Sequence, residues 1–172
     1  AYNELTDAPD DNTMIDLVRG GADMIVCRTF SKIYGMAGLR VGYAITSEEN
    51  ALHIRSHMMS FGGNFGGVAA ALGCYDDFAF LDQSRAMVIE GREMIMDAVA
   101  KSGLTALPSQ TNFVYVEVPD ADAVQAAMME RGIRIRGAYG EWTQYSRVST
   151  GMLADVERYA KALPEVIGSL NA

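Results

Sequence analysis

Lys32 has the neighbours that most readily suggest chemistry. It follows Arg28-Thr29-Phe30-Ser31 and precedes a glycine-containing turn, Gly35-Met36-Ala37-Gly38-Leu39, that ends in Arg40. Hydroxyls and a guanidinium fork suit the oxygens of a phosphate, and glycines let the backbone approach one closely. An amine in such an anion pocket, desolvated and beside a cation, becomes a nucleophile toward an aldehyde. On residue types alone, a solvated lysine on a tight turn is the better reading of the same stretch.

The elements around this stretch must position it. Thr13 to Gly20 reads as a short helix. Asp23-Met24-Ile25-Val26-Cys27 is a brief apolar run suited to a strand buried on both faces, and Val41-Gly42-Tyr43-Ala44-Ile45 resumes as a second strand. Ser47, followed by two glutamates, caps a helix through about Met58. Phe61 to Gly67 holds four glycines in seven residues and predicts a break, with a small-residue helix from Val68 to Tyr75. A long helical pattern runs from Asp76 to about Lys101 and stops at Ser102-Gly103. Beyond it the chain alternates more tightly: strand Asn112 to Val118, helix Ala121 to Arg131, strands Ile133 to Ile135 and Tyr145 to Ser149, and helix Leu153 to about Leu170. This is the pattern of a small α+β unit.

With 172 residues, 49% hydrophobic and four prolines, the chain can bury a core. A net charge of −8 argues against a nucleic-acid partner, which needs clustered Lys and Arg. No apolar run is long enough for a membrane span. Cys27 and Cys74 read as buried, reduced thiols, and the eleven methionines as core filling. His53 and His57, four apart on a helix, lack the partners of a metal site, so no metal is expected.

The string Ser31-Lys32 … Gly35-Met36-Ala37-Gly38-Leu39-Arg40-Val41-Gly42-Tyr43 resembles the Ser-Lys … Gly-x-x-Gly-x-Arg-x-Gly-Tyr signature of class I/II aminotransferases, especially the histidinol-phosphate aminotransferase branch. The resemblance implies an α/β fold: the C-terminal part of a fold-type I large domain that binds pyridoxal 5'-phosphate (PLP), followed by a small α+β domain. Residues 1–75 would belong to the large domain, 76–102 to a connecting helix and 103–172 to the small domain. It implies that Lys32 is the catalytic residue forming a Schiff base with PLP, and that Arg40, Ser31 and Thr29 bind the cofactor phosphate. Ala1-Tyr2 is similar to the end of the family's Asp-x-Ala-Tyr segment, which gives Tyr2 a hydrogen bond to the PLP phenolic oxygen.

Tyr145-Ser146-Arg147-Val148-Ser149-Thr150-Gly151 resembles the family's Leu-Arg-Ile-x-x-Gly segment, whose arginine grips the substrate's anionic group, so Arg147 is expected to bind substrate. Thr111-Asn112-Phe113 and Gly132-Ile133-Arg134-Ile135-Arg136 fall where the family has an Asn-Phe strand and a Gly-Ile-x-x-Arg strand. Arg136 is a second substrate-binding candidate, inseparable from Arg134 while both occupy one face of a strand. The paired glycines around Asn64 depart from the Pro-Phe-Asn type segment of the histidinol-phosphate branch.

The implied activity moves an amino group between an amino acid or amine, such as histidinol phosphate or an aromatic amino acid, and a 2-oxo acid. The enzyme would be a cytoplasmic homodimer. Since the chain starts at Ala1 and the family's pyridinium-binding aspartate would fall just before it, the resemblance implies a piece of a longer enzyme that alone binds PLP poorly. A PLP-dependent decarboxylase of the same fold and a non-catalytic α/β binding domain are the competing readings.

Overall fold

The computed structural model describes residues 1–60 and 62–170. They form two compact units, Ala1–Arg85 and Ala86–Ala172. In the first unit α1 (Ile15–Arg19) leads to an antiparallel ribbon of β1 (Val26–Thr29) and β2 (Gly42–Ile45), with α2 (Glu48–Ser56) and α3 (Phe65–Cys74) following. The register pairs Val26 with Ile45 and Thr29 with Gly42. Ser47 caps α2 as expected, its hydroxyl accepting from the Asn50 N–H at 3.3 Å.

The expectation of a strand buried on both faces is overturned. β1 begins at Val26 rather than Asp23, and among the described residues it pairs only with β2. With no further strand beside it, Cys27 is exposed rather than buried, and Cys74 only half-buried. The methionines depart in the same way: Met128 is fully buried, but Met58, Met59 and Met152 are exposed. The buried apolar residues described in this unit are Leu5, Phe30, Ile33 and Ala71.

The glycine-rich segment also differs from expectation. Its first residue, Phe61, lies outside the described residues, but α3 already starts at Phe65 and takes in Gly66 and Gly67. Asn64 makes this possible by capping the helix, its Oδ1 accepting from the Gly67 N–H at 3.1 Å. Its Nδ2 donates to the Leu39 carbonyl at 3.0 Å, which ties the cap to the turn carrying Arg40. Gly67 is buried against the same turn: a Cβ there would lie 2.6 Å from Val41 Cγ2 and 3.1 Å from the Leu39 oxygen.

α4 (Phe78–Lys101) runs from the first unit into the second and ends at Gly103, whose φ of +69° closes the helix while the Leu104 N–H reaches back to the Val99 carbonyl. In the second unit β3 (Thr105–Ala106), β4 (Phe113–Glu117) and β5 (Tyr145–Ser149) form an antiparallel sheet in that order. Alternation along the strands buries Val114, Val116, Ser146 and Val148. The three valines pack with Ile95 and Val99 of α4, Val124 and Met128 of α5 (Ala121–Glu130), and Val156, Leu163 and Val166 of α6 (Leu153–Leu170).

Ile133 to Ile135, expected to be a strand, is irregular, and only Arg136 bridges to β5, at Arg147. Gly132 turns the chain at a φ of +69°. The Ile135 carbonyl is then taken by the Gln125 side chain at 3.0 Å, and the Arg136 carbonyl also accepts from the Ser146 hydroxyl at 2.9 Å.

Packing around α3 gives opposite expectations for two of its glycines. Gly67→Ala should lose about 1–3 kcal/mol through overpacking, whereas Gly73→Ala, with nothing within 4 Å of its added methyl, should gain about 0.5–1 kcal/mol. Urea denaturation of the two variants measures both.

Candidate active site

Lys32 lies just beyond the end of β1. The ladder closes where the Phe30 N–H donates to the Val41 carbonyl at 3.1 Å, so Ser31 and Arg40 leave the ribbon side by side. The Thr29 and Ser31 hydroxyls are 2.9 Å apart, and Thr29 Oγ1 also accepts from the Ser31 N–H at 3.1 Å. The Thr29 and Ser31 hydroxyls thus meet at the end of the ribbon where the backbone leads on to Lys32 and returns from Arg40. Gly35, with a φ of +69°, turns the chain so that its N–H meets the Lys32 carbonyl at 2.9 Å.

Arg40 has a left-handed backbone, φ 54° and ψ 46°, the sole positive φ at a non-glycine among the described residues. This conformation costs roughly 1–2 kcal/mol for a residue with a Cβ and is typical of sites where function holds a residue in place. Its guanidinium donates to the Ala37 carbonyl at 2.7 Å and is otherwise solvent-facing.

Tyr2 stands against the lysine, with Lys32 Nζ 5.2 Å from its ring centroid. Several residues that sequence reasoning passed over hold this pair in place. Arg28, its side chain only 9% exposed, donates to Glu4 Oε1 at 3.2 Å and to the Thr13 hydroxyl at 2.9 Å. The segment after Tyr2 is thereby tied to the strand before Lys32. From α4, Ser84 donates to the Ile33 carbonyl at 2.7 Å and Arg85 to the Thr6 carbonyl at 2.9 Å, which clasps both segments. Arg28 lies just past the apolar run that ends at Cys27, so nothing in that run marked it.

A cavity of about 490 Å³ next to this ion pair is lined by Glu4, Arg28, Tyr34, Tyr43 and Tyr75, among others. Burial, then the neighbouring Tyr75 hydroxyl, pushes the Tyr43 phenol up to about 12, against the pull of Arg28. Tyr34 is also raised, by burial first and then by Glu4.

Arg136 and Arg147 lie in the second unit, joined by paired backbone hydrogen bonds of 3.1 and 3.2 Å. Both guanidinium carbons stand over Tyr139, at 4.4 Å for Arg136 and 5.9 Å for Arg147; Arg147 also lies 5.1 Å from the Phe113 ring. Arg147 Nε is buried with no hydrogen-bond partner among the described residues. Burial and then Tyr139 raise the Tyr115 phenol, and the two guanidiniums oppose them. The structure separates the two arginines that the sequence could not: Arg136 bridges to Arg147, whereas Arg134 lines a cavity with Asp155 and Arg158.

A family model of class I and II aminotransferases matches residues 1–163, and the chain belongs to that family. Among its relatives, histidinol-phosphate aminotransferase 1 of Dechloromonas aromatica is 34% identical over 97% of this chain and 46% of its own length. The crystal structure of histidinol-phosphate aminotransferase from Sinorhizobium meliloti, in complex with pyridoxal-5'-phosphate, superposes with a TM-score of 0.87 at 35% identity, covering 99% of this chain and 48% of that one. L-threonine-O-3-phosphate decarboxylase from Porphyromonas gingivalis shares the fold, with a TM-score of 0.80 at 21% identity over 96% of this chain and 51% of that one. The chain spans about half the length of the curated relatives it matches. No helix among the described residues is long and apolar enough to cross a membrane.

Two outcomes follow from this geometry. Arg40→Gly and Arg40→Ala both remove the guanidinium, but the glycine variant should be the more stable by about 1 kcal/mol because it relieves the left-handed strain; thermal melts compare them. For Tyr43, the folded state holds its proton up to about 12, whereas an unfolded tyrosine loses it at about 10. Stability should therefore fall as pH rises through that window, and less steeply in Tyr43→Phe, as followed by denaturation midpoints across it.

Proposed function

We propose that the chain is part of a PLP-dependent aminotransferase that moves an amino group between an amino acid or amine and a 2-oxo acid. The single observation that carries this reading is Lys32 Nζ against the Tyr2 ring just past the end of β1, where the Thr29 and Ser31 hydroxyls meet and the strained Arg40 precedes β2. That donor set fits the cofactor. Lys32 supplies the amine for its aldehyde, and the hydroxyls with Arg40 supply donors for its phosphate. Tyr2 offers a hydroxyl to its phenolic oxygen. The relative with 35% identity that holds PLP supports the same reading. Residues 1–75 would then belong to the cofactor-binding domain and 103–172 to a smaller one, joined by the helix of 76–102.

When bound, the cofactor supplies an electron sink conjugated to the substrate nitrogen. Lys32 would hold the group through its Nζ, and the same amine, once free, would serve as the base that moves a proton at the substrate Cα. Arg40, Ser31 and Thr29 fix the phosphate so that the reacting atoms keep their alignment. Arg147 and Arg136 hold the anionic end of the substrate through planar N–H forks. Histidinol phosphate and aromatic amino acids both carry such a group, and a cytoplasmic homodimer is the assembly that accords with the family.

Borohydride reduction of the full gene product with PLP, followed by peptide mass mapping, tests the assignment. A pyridoxyl adduct is expected on Lys32 and nowhere in Lys32→Ala; an adduct on a different lysine would remove the basis for the mechanism. Product analysis should find a 2-oxo acid without carbon dioxide, which separates amino transfer from decarboxylation.

A further inference from the structure

We infer that a cleft on the helix-packed side of the second unit's sheet binds a free aliphatic α-amino acid as an unreacted ligand, held by Arg134, Ser149 and Tyr159. Lys32 takes no part in it, so the site stands apart from the function proposed above.

The cleft exists because a ladder stops short. Arg136 and Arg147 exchange a pair of backbone hydrogen bonds, and alternation makes Arg134 and Ser149 the next pair that should do so. That pair is not formed, since Ile133 to Ile135 is irregular. The Thr150 N–H turns toward Asn112 on the β4 side, so the Ser149 N–H and carbonyl face the opposite way, where they have no partner among the described residues. Both sides of the missing pair line a cavity of about 290 Å³, together with Ile133, Ile135, Val156 and Tyr159 among others. This is at the small end of ligand pockets, roughly 300–1,000 Å³. Val148 and Tyr159, both buried, place it on the side of the sheet away from Arg147, whose side chain alternates to the other face.

Two side chains at this cavity also lack partners among the described residues. Arg134 is in no salt bridge, and its guanidinium makes no hydrogen bond. Tyr159 is only 3% exposed, yet its hydroxyl makes no hydrogen bond, and burial alone raises its phenol. A buried hydroxyl left unpaired is costly, so a guest that pairs with it is favoured.

The guest's chemistry follows from this set. Arg134, the Tyr159 hydroxyl and the Ser149 N–H are donors for a carboxylate, while the Ser149 carbonyl and the Asp155 carboxylate are acceptors for an ammonium. An α-amino acid carries both ions on one carbon, matching the donor and acceptor that Ser149 presents from one residue. Ile133, Ile135 and Val156 offer its side chain an apolar wall, and the volume admits a short one.

Methyl NMR of the full gene product, isoleucine-labelled and carrying Lys32→Ala so that no imine can form, reads the cavity through Ile133 and Ile135, assigned with Ile133→Val and Ile135→Val. L-Leucine is expected to shift both methyls saturably. It should bind at least about ten-fold tighter than 4-methylpentanoate, which lacks the ammonium, or 3-methylbutylamine, which lacks the carboxylate, as the loss of one hydrogen bond to an ion implies. Arg134→Gln should weaken leucine by about ten-fold or more, and Tyr159→Phe should weaken it measurably. Arg147→Gln, on the other face, should leave leucine binding unchanged. No shift at the two methyls, 4-methylpentanoate binding as tightly as leucine, or a loss caused by Arg147→Gln and not by Arg134→Gln overturns the site. Because the titrated variant lacks Lys32, a negative result leaves the enzymatic reading standing, and a missing borohydride adduct leaves this site standing.

Discussion

Arg28 is a nearly buried cation on a short strand, and the arrangement of the first unit around Lys32 depends on its partners. A guanidinium withdrawn from water is tolerable when its N–H groups meet good acceptors, and here Glu4 and Thr13 supply them from two separate stretches of chain. Satisfying Arg28 brings the turn after Tyr2 against β1, and Tyr2 against Lys32 follows. Ser84 and Arg85 of α4 then bind carbonyls on either side of the same junction. Few buried apolar residues support this region, so directional polar contacts do much of the positioning that a larger core would do elsewhere.

Legibility of the sequence depended on how far apart the interacting residues lie in the chain. Local signals were plain: Ser47 opening α2, the long pattern of α4 with Gly103 as its stop, and the alternation of β4 and β5. The motif around Lys32 was legible because its members sit within a dozen residues and their spacing is itself the signal. Misreadings came where a distant partner decides. The apolar run from Asp23 to Cys27 promised a strand enclosed on both faces, but among the described residues only β2 pairs with it. Ile133 to Ile135 has the composition of a strand, yet a glutamine on α5 takes the carbonyl that a ladder would need. The glycine-rich segment failed for a different reason: Asn64, acting as a cap, compensates for backbone freedom that a propensity argument counts as disruptive.

The same limit applied to the site. Glu4 with Arg28, and Asn64 with Leu39, are separated by more than twenty residues, and nothing in either partner's surroundings announces the other. Three arginines illustrate how little residue type alone conveys. Arg28 is enclosed and paired, Arg40 is exposed on a strained backbone, and Arg147 has a buried nitrogen without a hydrogen-bond partner among the described residues.

The uneven distribution of buried apolar surface has a dynamic consequence. The second unit holds a continuous core from α4 through β4, β5, α5 and α6, while the ribbon bearing Lys32 has only a few enclosed side chains. Local opening scales with how much packing must be disrupted. Amide protons of Val114, Val116 and Val148 would therefore exchange with solvent only in rare, large openings, and those of β1 and the lysine turn in frequent small ones. The chain concentrates its packing around the sheet of the second unit and leaves the turn at Lys32 free to open more often.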